Sequence, residues 1–312
     1  MKAARIHQFG GPDVIQIDEI ERPRPQGSQL LLRVAGSSLN HIDLSLRAGE
    51  LKFLTQFQMP KTLGFDVVGE VVECGPAVTS FLPGDRVAAM TGVAAGGAAE
   101  FCCVAQNSAT LVPDAVGWAD AAAIPLAAAT ALQGLRGLGH LRAGQQVLIN
   151  GASGGVGSFA VQLAKLYGAE VTAVCREGHF DHARELGADA LLDYQKHDWA
   201  DLRTKFDVVF DAAAKLGMEQ VKALVQHGGQ VVTTRPEPKQ VVESLFERFR
   251  GSFQMHFMLT KPRGGDFALL LRLVDEGRLK PCVAKTFPLA EAAAAHRYLE
   301  EESVAGKVVL LC

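Results

Sequence analysis

From Gln146 to Lys165 the chain reads QVLINGASGGVGSFAVQLAK. Val147-Leu148-Ile149 is a buried-strand run, and Val156, Phe159, Ala160, Leu163 and Ala164 then fall on one face of a helix. Between them lies a turn of small residues. Ala152, Gly154 and Gly157 occupy the three fingerprint positions of a dinucleotide-binding turn, with alanine in the first. Each position has a steric reason. The first permits a tight turn, Gly154 lets the backbone approach a pyrophosphate, and Gly157 lets the helix pack closely on the strand. The pyrophosphate would then meet free N–H groups and the positive end of a helix dipole. Ala152, Ser153, Gly154, Gly155, Val156 and Gly157 are therefore candidate cofactor-binding residues. The alternative is a glycine-rich βα turn that binds nothing, but its place after a strand and before a helix is the context the fingerprint requires.

A chain of 312 residues is long for one core, so two domains are expected. With 48% apolar and 21% charged residues it has the composition of a soluble globular protein. A formal net charge of −3 gives no support for nucleic-acid binding as the main role. No apolar run reaches membrane-spanning length, and MKAARIHQFGG has no signal-peptide core and reads as a first strand. The expected compartment is the cytoplasm. The six cysteines, Cys74, Cys102, Cys103, Cys175, Cys282 and Cys312, include no C-x-x-C pair and no cluster of four. They read as reduced thiols. Cys102 and Cys103 are neighbours in a strand-like run, so their side chains point to opposite faces and share no metal.

The chain changes texture near Trp118. Before it, Val14–Ile17, Gln29–Val34, Gly64–Glu73, Arg86–Met90 and Gly96–Val104 carry strand patterns separated by turn signals, which suggests a small, partly closed β-barrel. After it, Ala121–Leu135 is alanine-rich and helical. Strands are then expected at Gln146–Asn150, Glu170–Val174, Ala190–Tyr194, Phe206–Phe210 and Gln230–Thr234, with helices such as Asp181–Leu186 and Met218–Gln226 between them. This alternation is that of a parallel doubly wound sheet, so the fold class is α/β. Beyond Thr260 come a helix over Asp266–Glu276, a strand near Cys282–Phe287, a helix over Leu289–Leu299 and a last strand, Gly306–Leu311, that could rejoin the first domain.

Seven motifs in order carry a resemblance that covers essentially the whole chain. They are Ser38 to Asp43, Gly64-Phe65-Asp66-Val67-Val68-Gly69, Phe81 to Val87, Ile124-Pro125 through Thr130-Ala131, the glycine turn, Leu186-Gly187-Ala188-Asp189, and Gly306-Lys307-Val308-Val309. The chain resembles the medium-chain dehydrogenase/reductase superfamily and, within it, the zinc-free, zeta-crystallin-like quinone oxidoreductase branch. The resemblance implies a GroES-like catalytic domain over 1–118 and 261–312, a Rossmann domain over 119–260, an active site in the cleft between them, and a homodimer. Zinc-dependent relatives place a His-Glu pair where this chain has Phe65-Asp66, a cysteine near Asn40, and a four-cysteine lobe that is absent here. No metal is expected. His41 could in principle be a ligand but has no evident partner, and it reads as a cleft-lining or surface histidine. A tyrosine common in the family is replaced by Leu51.

The resemblance implies a reductase that transfers hydride from NADPH to a quinone or an α,β-unsaturated carbonyl. It places Asn40 beside the nicotinamide and substrate, where its amide could bond a substrate carbonyl. The other reading of Asn40 is an amide that satisfies a turn backbone. Asp43 could support Asn40 or cap a helix at Leu44. Thr130 stands where the family has a hydroxyl near the nicotinamide, or is a helix threonine bonding back to a carbonyl. Phe257 and Leu259, after the last Rossmann strand, would form an apolar wall. Cofactor choice depends on the end of the second strand, where an acid selects NAD and an arginine NADP. Arg176 stands there, and His179 and Tyr194 align with a lysine and a tyrosine around the 2′-phosphate in NADPH-using relatives. Glu177 could instead bond the ribose hydroxyls, and Arg176 could be a solvated surface charge. NADPH is favoured over NADH. Two rival functions remain: a zinc alcohol dehydrogenase, and a nucleotide-binding crystallin-like or redox-sensing protein with little turnover. Pocket size is expected to depend on Leu51 to Met59.

Overall fold

The structure, a computed structural model, describes residues 1–51, 58–92, 95–196, 199, 202, 204–235 and 238–312. The chain forms two compact units, Met1–Ala129 with Lys261–Cys312, and Thr130–Thr260. The first boundary follows Ala129 rather than Trp118. It falls inside the alanine-rich segment, which is helical but widens into π turns at Ile124–Ala128 and Gln133–Leu138. Among the described residues no helix is long and apolar enough to cross a membrane.

In the unit made from both chain ends, the strand Gln29–Leu39 is the hub. It pairs antiparallel with Asp66–Cys74 on one side, and with Phe101–Ala105 and the last strand, Lys307–Leu311, on the other. Register shifts between Leu31 and Leu32 and between Val34 and Gly36 mark bulges. Bulges bend and twist a strand, which lets one strand serve several partners and start a barrel. The last strand sets Val308 opposite Leu39 and Leu310 opposite Ser37, so Lys307 lies at the Asn40 end of the hub. Val14 belongs to a short 3-10 turn, and the strand expected from it begins at Ile15.

A helix follows the hub at His41–Ala48 and packs in one cluster with the helix Ala292–Glu301, through Leu46, Ala292 and Ala295. Arg47, only 1% exposed, ties the two together. Its Nε donates to the Gly10 carbonyl at 3.1 Å, and its Nη2 donates to Glu300 Oε1 and Oε2 at 3.1 and 2.9 Å. Arg47 Nη1 and both ring nitrogens of His296 are buried without a hydrogen-bond partner among the described residues. Burial, helped by the Arg47 charge, pushes the His296 imidazole down from 6.5 to about 3. The unfolded chain therefore takes up a proton near pH 6.5 that the folded chain refuses, so this histidine's contribution is complete above pH 6.5 and is lost as pH falls. By pH 5 the loss is about 2 kcal/mol. We expect His296→Leu to lose less stability than wild type between pH 7 and pH 5, read from urea midpoints. Equal losses would clear His296 as the acid trigger.

Thr130–Thr260 is built on a six-stranded sheet in the order Ala190–Asp193, Glu170–Cys175, Gln146–Asn150, Phe206–Asp211, Val225–Thr233 and Phe253–Phe257, with every neighbouring pair parallel. Val147, Leu148 and Ile149 are fully buried, as a strand covered on both faces requires. From Gln146–Asn150 the chain winds to one edge, then from Phe206 to the other. The switch point lies between these two central strands, where open parallel sheets bind ligands at the strands' carboxyl ends. Two expectations are corrected. Val225 already belongs to the fifth strand, so the helix before it ends at Leu224. The helix Pro238–Arg250 and the strand Phe253–Phe257 add to the expected pattern, so Phe257 ends a strand rather than following one.

Candidate functional site

The residues singled out in the first unit gather at the start of the His41–Ala48 helix. Asn40 is its N-cap, so Asp43 stands at the third helical position and does not cap a helix at Leu44. It caps in the reciprocal sense: its Oδ2 accepts the Asn40 backbone N–H at 2.9 Å. Its Oδ1 accepts the Gly64 N–H at 3.2 Å.

A second carboxylate, Asp66, lies beside them and is fully buried. Its Oδ2 accepts Ser38 Oγ at 2.5 Å and Asn40 Nδ2 at 2.9 Å, and its Oδ1 accepts the Leu126 N–H at 2.8 Å. The cation of this cluster is Lys307, 3% exposed, with Nζ 3.9 Å from Asp66 Oδ2. Lys307 Nζ donates to the Leu39 carbonyl at 2.7 Å and to Asn40 Oδ1. Burial pushes Asp43 up to about 7, with the Asp66 charge adding to the rise. Burial also raises Asp66 and lowers Lys307, and their mutual attraction opposes both shifts.

A zinc ion does not fit these residues. Asn40 is a carboxamide, Phe65 is a buried apolar side chain, and both Asp66 oxygens already accept hydrogen bonds. His41 is exposed at the first helical position. Among the described residues no three His, Cys, Asp or Glu side chains gather as a metal site would require. Residues 52–57 of the loop expected to set pocket size lie outside the described residues.

In the second unit the glycine turn leaves the central strand at Asn150 and enters the helix Gly155–Leu166, with Gly154 as N-cap. The tight turn is made by Gly151, not by Ala152. Gly151 has φ +80°, and a Cβ there would stand 2.8 Å from the Ala213 Cβ. Ala152 is fully buried beside it. At Gly154 a Cβ would have only the Gly151 carbonyl within 4 Å, at 3.5 Å, so a side chain there would not clash with the turn. At Gly157 it would lie 2.1 Å from the Gly151 oxygen and 2.7 Å from the Ala152 Cα. The first helical hydrogen bond here is Ser158 N–H to Gly154 O, so the N–H groups of Gly155, Val156 and Gly157 have no intrahelical partner. Backbone donors left over at a helix N-terminus are the kind of group that favours an anion.

The loop after the second strand meets the turn. His179 Nδ1 lies 3.0 Å from Ser153 Oγ in the turn. Arg176 is exposed, and its Nε donates to Tyr194 Oη at 2.8 Å, which leaves both Nη groups without a partner among the described residues. Glu177 is held by Lys196, Oε2 to Nζ 2.5 Å, so its negative charge is compensated locally. Asp193 anchors the loop by accepting the Glu177 N–H at 3.2 Å. Thr130 is buried, with Oγ1 2.5 Å from Thr260 Oγ1. Phe257 is half-buried at its strand end, whereas Leu259 is 81% exposed and belongs to no core. Ser38 and Lys307 stand in the motifs that carry the resemblance, but the sequence assigns neither a place in the site, and Lys196 carries no signal.

The alcohol dehydrogenase GroES-like domain family matches residues 26–114, and the zinc-binding dehydrogenase family matches residues 186–310. The chain is 33% identical to a chloroplastic quinone-oxidoreductase homolog of Spinacia oleracea, over 96% of this chain and 95% of that protein. It is 34% identical to a chloroplastic NADPH-dependent alkenal/one oxidoreductase of Arabidopsis thaliana, over 99% of this chain and 79% of that protein. Among solved structures, the quinone oxidoreductase from Coxiella burnetii superposes with a TM-score of 0.91 at 29% identity, covering 100% of this chain and 99% of that one.

Proposed function

The chain belongs to the quinone oxidoreductase branch of the medium-chain dehydrogenase/reductase superfamily, and from that premise we propose that it is an NADPH-dependent, zinc-independent reductase of quinones or α,β-unsaturated carbonyls. The observation that carries this reading is the glycine turn in Thr130–Thr260. An ideal Cβ at Gly154 would have only the Gly151 carbonyl within 4 Å, and the second strand ends beside an arginine whose Nη groups have no partner among the described residues. When bound, NADPH supplies the hydride that reaches the acceptor. The chain's own residues bind and orient. The free N–H groups of the helix Gly155–Leu166 hold the pyrophosphate, Arg176 with Tyr194 holds the 2′-phosphate, and Ser153 with His179 closes the loop over the turn. Asn40, Asp43 and Thr130 are the residues assigned to the reacting end. The test is NADPH oxidation against 9,10-phenanthrenequinone and a panel of enones. Tight NADPH binding with no acceptor-dependent oxidation would favour a nucleotide-binding protein instead.

The metal part of this reading stands on the donor set. Replacing zinc ligands by a carboxamide, a phenyl ring and an already satisfied carboxylate leaves nothing that competes with water for the ion. We expect purified protein to hold far less than one zinc per chain and to keep its turnover in a chelator. Stoichiometric zinc with chelator-sensitive turnover would refute it.

The reading includes a homodimer. Among the described residues Phe253–Phe257 is an edge strand, and an unpaired edge is a template for a second copy. The helix packed on it exposes Val242, Leu245 and Phe246, at 56%, 55% and 64%. A cluster of this kind beside an open edge suits association. We expect wild type to run as a dimer in light scattering and Leu245→Glu/Phe246→Glu as a folded monomer. A monomeric wild type would remove this part of the reading. None of the six cysteines is joined in a disulfide, which supports a reducing compartment, and we assign the cytoplasm.

A further inference from the structure

The reading above gives Asn40 a place at the reacting end, and the inference here rests on it. A carboxamide has two donor hydrogens on Nδ2 and two acceptor lone pairs on Oδ1. In Asn40 both donors are taken, by Asp66 Oδ2 at 2.9 Å and by the Ser38 carbonyl at 3.3 Å. One acceptor site is taken by Lys307 Nζ. Turning the amide over would set Nδ2 against an ammonium and Oδ1 against a carboxylate, two like-signed contacts with buried partners. The two partners are 0% and 3% exposed, so solvent does not screen them. We propose that Lys307 is a positioning residue, whose ammonium, set against Asp66, fixes the direction of the Asn40 carboxamide and leaves a lone pair of Oδ1 without a partner among the described residues.

This changes what Asn40 offers a ligand. It meets a hydroxyl or an N–H as an acceptor. To donate to a substrate carbonyl it would have to release Asp66 or Ser38. The partners that suit it are a ribose hydroxyl, a carboxamide N–H or the nascent hydroxyl of a reduced quinone. Lys307 reaches Asn40 from the far end of the chain because the last strand pairs with the hub, Val308 opposite Leu39. It is held to the backbone by the Leu39 carbonyl, so its ammonium is pinned at two points.

The test is a double-mutant cycle with a readout of the amide itself. Lys307→Met leaves Asp66 unpaired and destabilises the fold, so Lys307→Met/Asp66→Asn, neutral at both positions, is measured beside it, with Lys307→Arg as the conservative variant. In asparagine-labelled protein the Asn40 side-chain N–H groups should exchange slowly in wild type and Lys307→Arg, and at least about tenfold faster in the neutral double variant. Turnover should fall about ten- to a hundredfold in kcat/KM in the neutral variant, with NADPH affinity unchanged. In an Asn40→Ala background the same two changes should cost less than about threefold more, because the group they position is gone. Unchanged exchange of the Asn40 amide in the neutral variant, or an equal loss of kcat/KM with and without Asn40, would overturn the proposal. A wild type that shows no acceptor-dependent turnover would instead defeat the reductase reading, and the exchange measurement would still decide the role of Lys307.

Discussion

Gly154→Val should yield a folded protein that no longer binds NADPH. The mutated position has an ordinary backbone φ of −75°, and the first carbon added there meets only a carbonyl oxygen at 3.5 Å. The fold therefore has room for it, and exchanging glycine for valine at an N-cap costs on the order of 1 kcal/mol. The added carbons stand instead in the space assigned to the pyrophosphate, and block its approach to the free N–H groups of Gly155, Val156 and Gly157. We expect the affinity to fall by about a hundredfold or more, which is roughly 3 kcal/mol. Gly157→Val makes the contrast. Its Cβ would meet backbone atoms at 2.1 and 2.7 Å, so it should damage the fold of Thr130–Thr260 itself and give no specific information. Equal NADPH affinity in folded Gly154→Val, measured by fluorescence titration, would take the turn out of the site.

Arg176→Ala should weaken NADPH by about ten- to a hundredfold and leave NADH nearly unchanged, since only NADPH carries the 2′-phosphate. Tyr194 takes the Nε donor of Arg176, whose two Nη groups have no partner among the described residues. Glu177, the residue that could have favoured NADH, forms an ion pair with Lys196. Glu177→Ala should therefore leave NADPH affinity intact or improve it, because Lys196 is released to the phosphate. Dissociation constants of both cofactors for the three proteins decide the matter. An Arg176→Ala protein that loses both cofactors equally would make the arginine a bystander.

The parts of this account that were legible in the sequence are those set by local periodicity. The central strand and the glycine turn are written in adjacent residues, since burial on both faces demands Val147-Leu148-Ile149 and close packing demands Gly157. The tight turn falls at Gly151 rather than at Ala152, because the spacing of the fingerprint does not report which residue takes the positive φ. The Asn150-Gly151 pair is itself a turn signal and would have located the positive φ. The helix Pro238–Arg250 was missed because its exposed face is its apolar one, with Val242, Leu245 and Phe246, which reverses the usual pattern. The cluster of Asp66, Asn40 and Lys307 was invisible for a different reason. It depends on a strand from one end of the chain pairing beside a strand near the other, and no local pattern reports which buried charge faces which. The wall of Phe257 and Leu259 is what the family resemblance implies, and no local pattern reports that Leu259 stands 81% exposed after its strand.

The central claim is hydride transfer from NADPH to an electrophilic acceptor without a metal, and the fate of the hydride tests it most directly. The enzyme is given NADPH deuterated at the transferred position of nicotinamide C4, with a chelator present, and either 9,10-phenanthrenequinone or an enone. The account predicts acceptor-dependent NADPH oxidation and, where the enone is reduced, a saturated carbonyl product with one deuterium on its β-carbon and a solvent proton on its α-carbon. NADPH bound but left unoxidised with both acceptors, or an enone product free of label at the β-carbon, would contradict it.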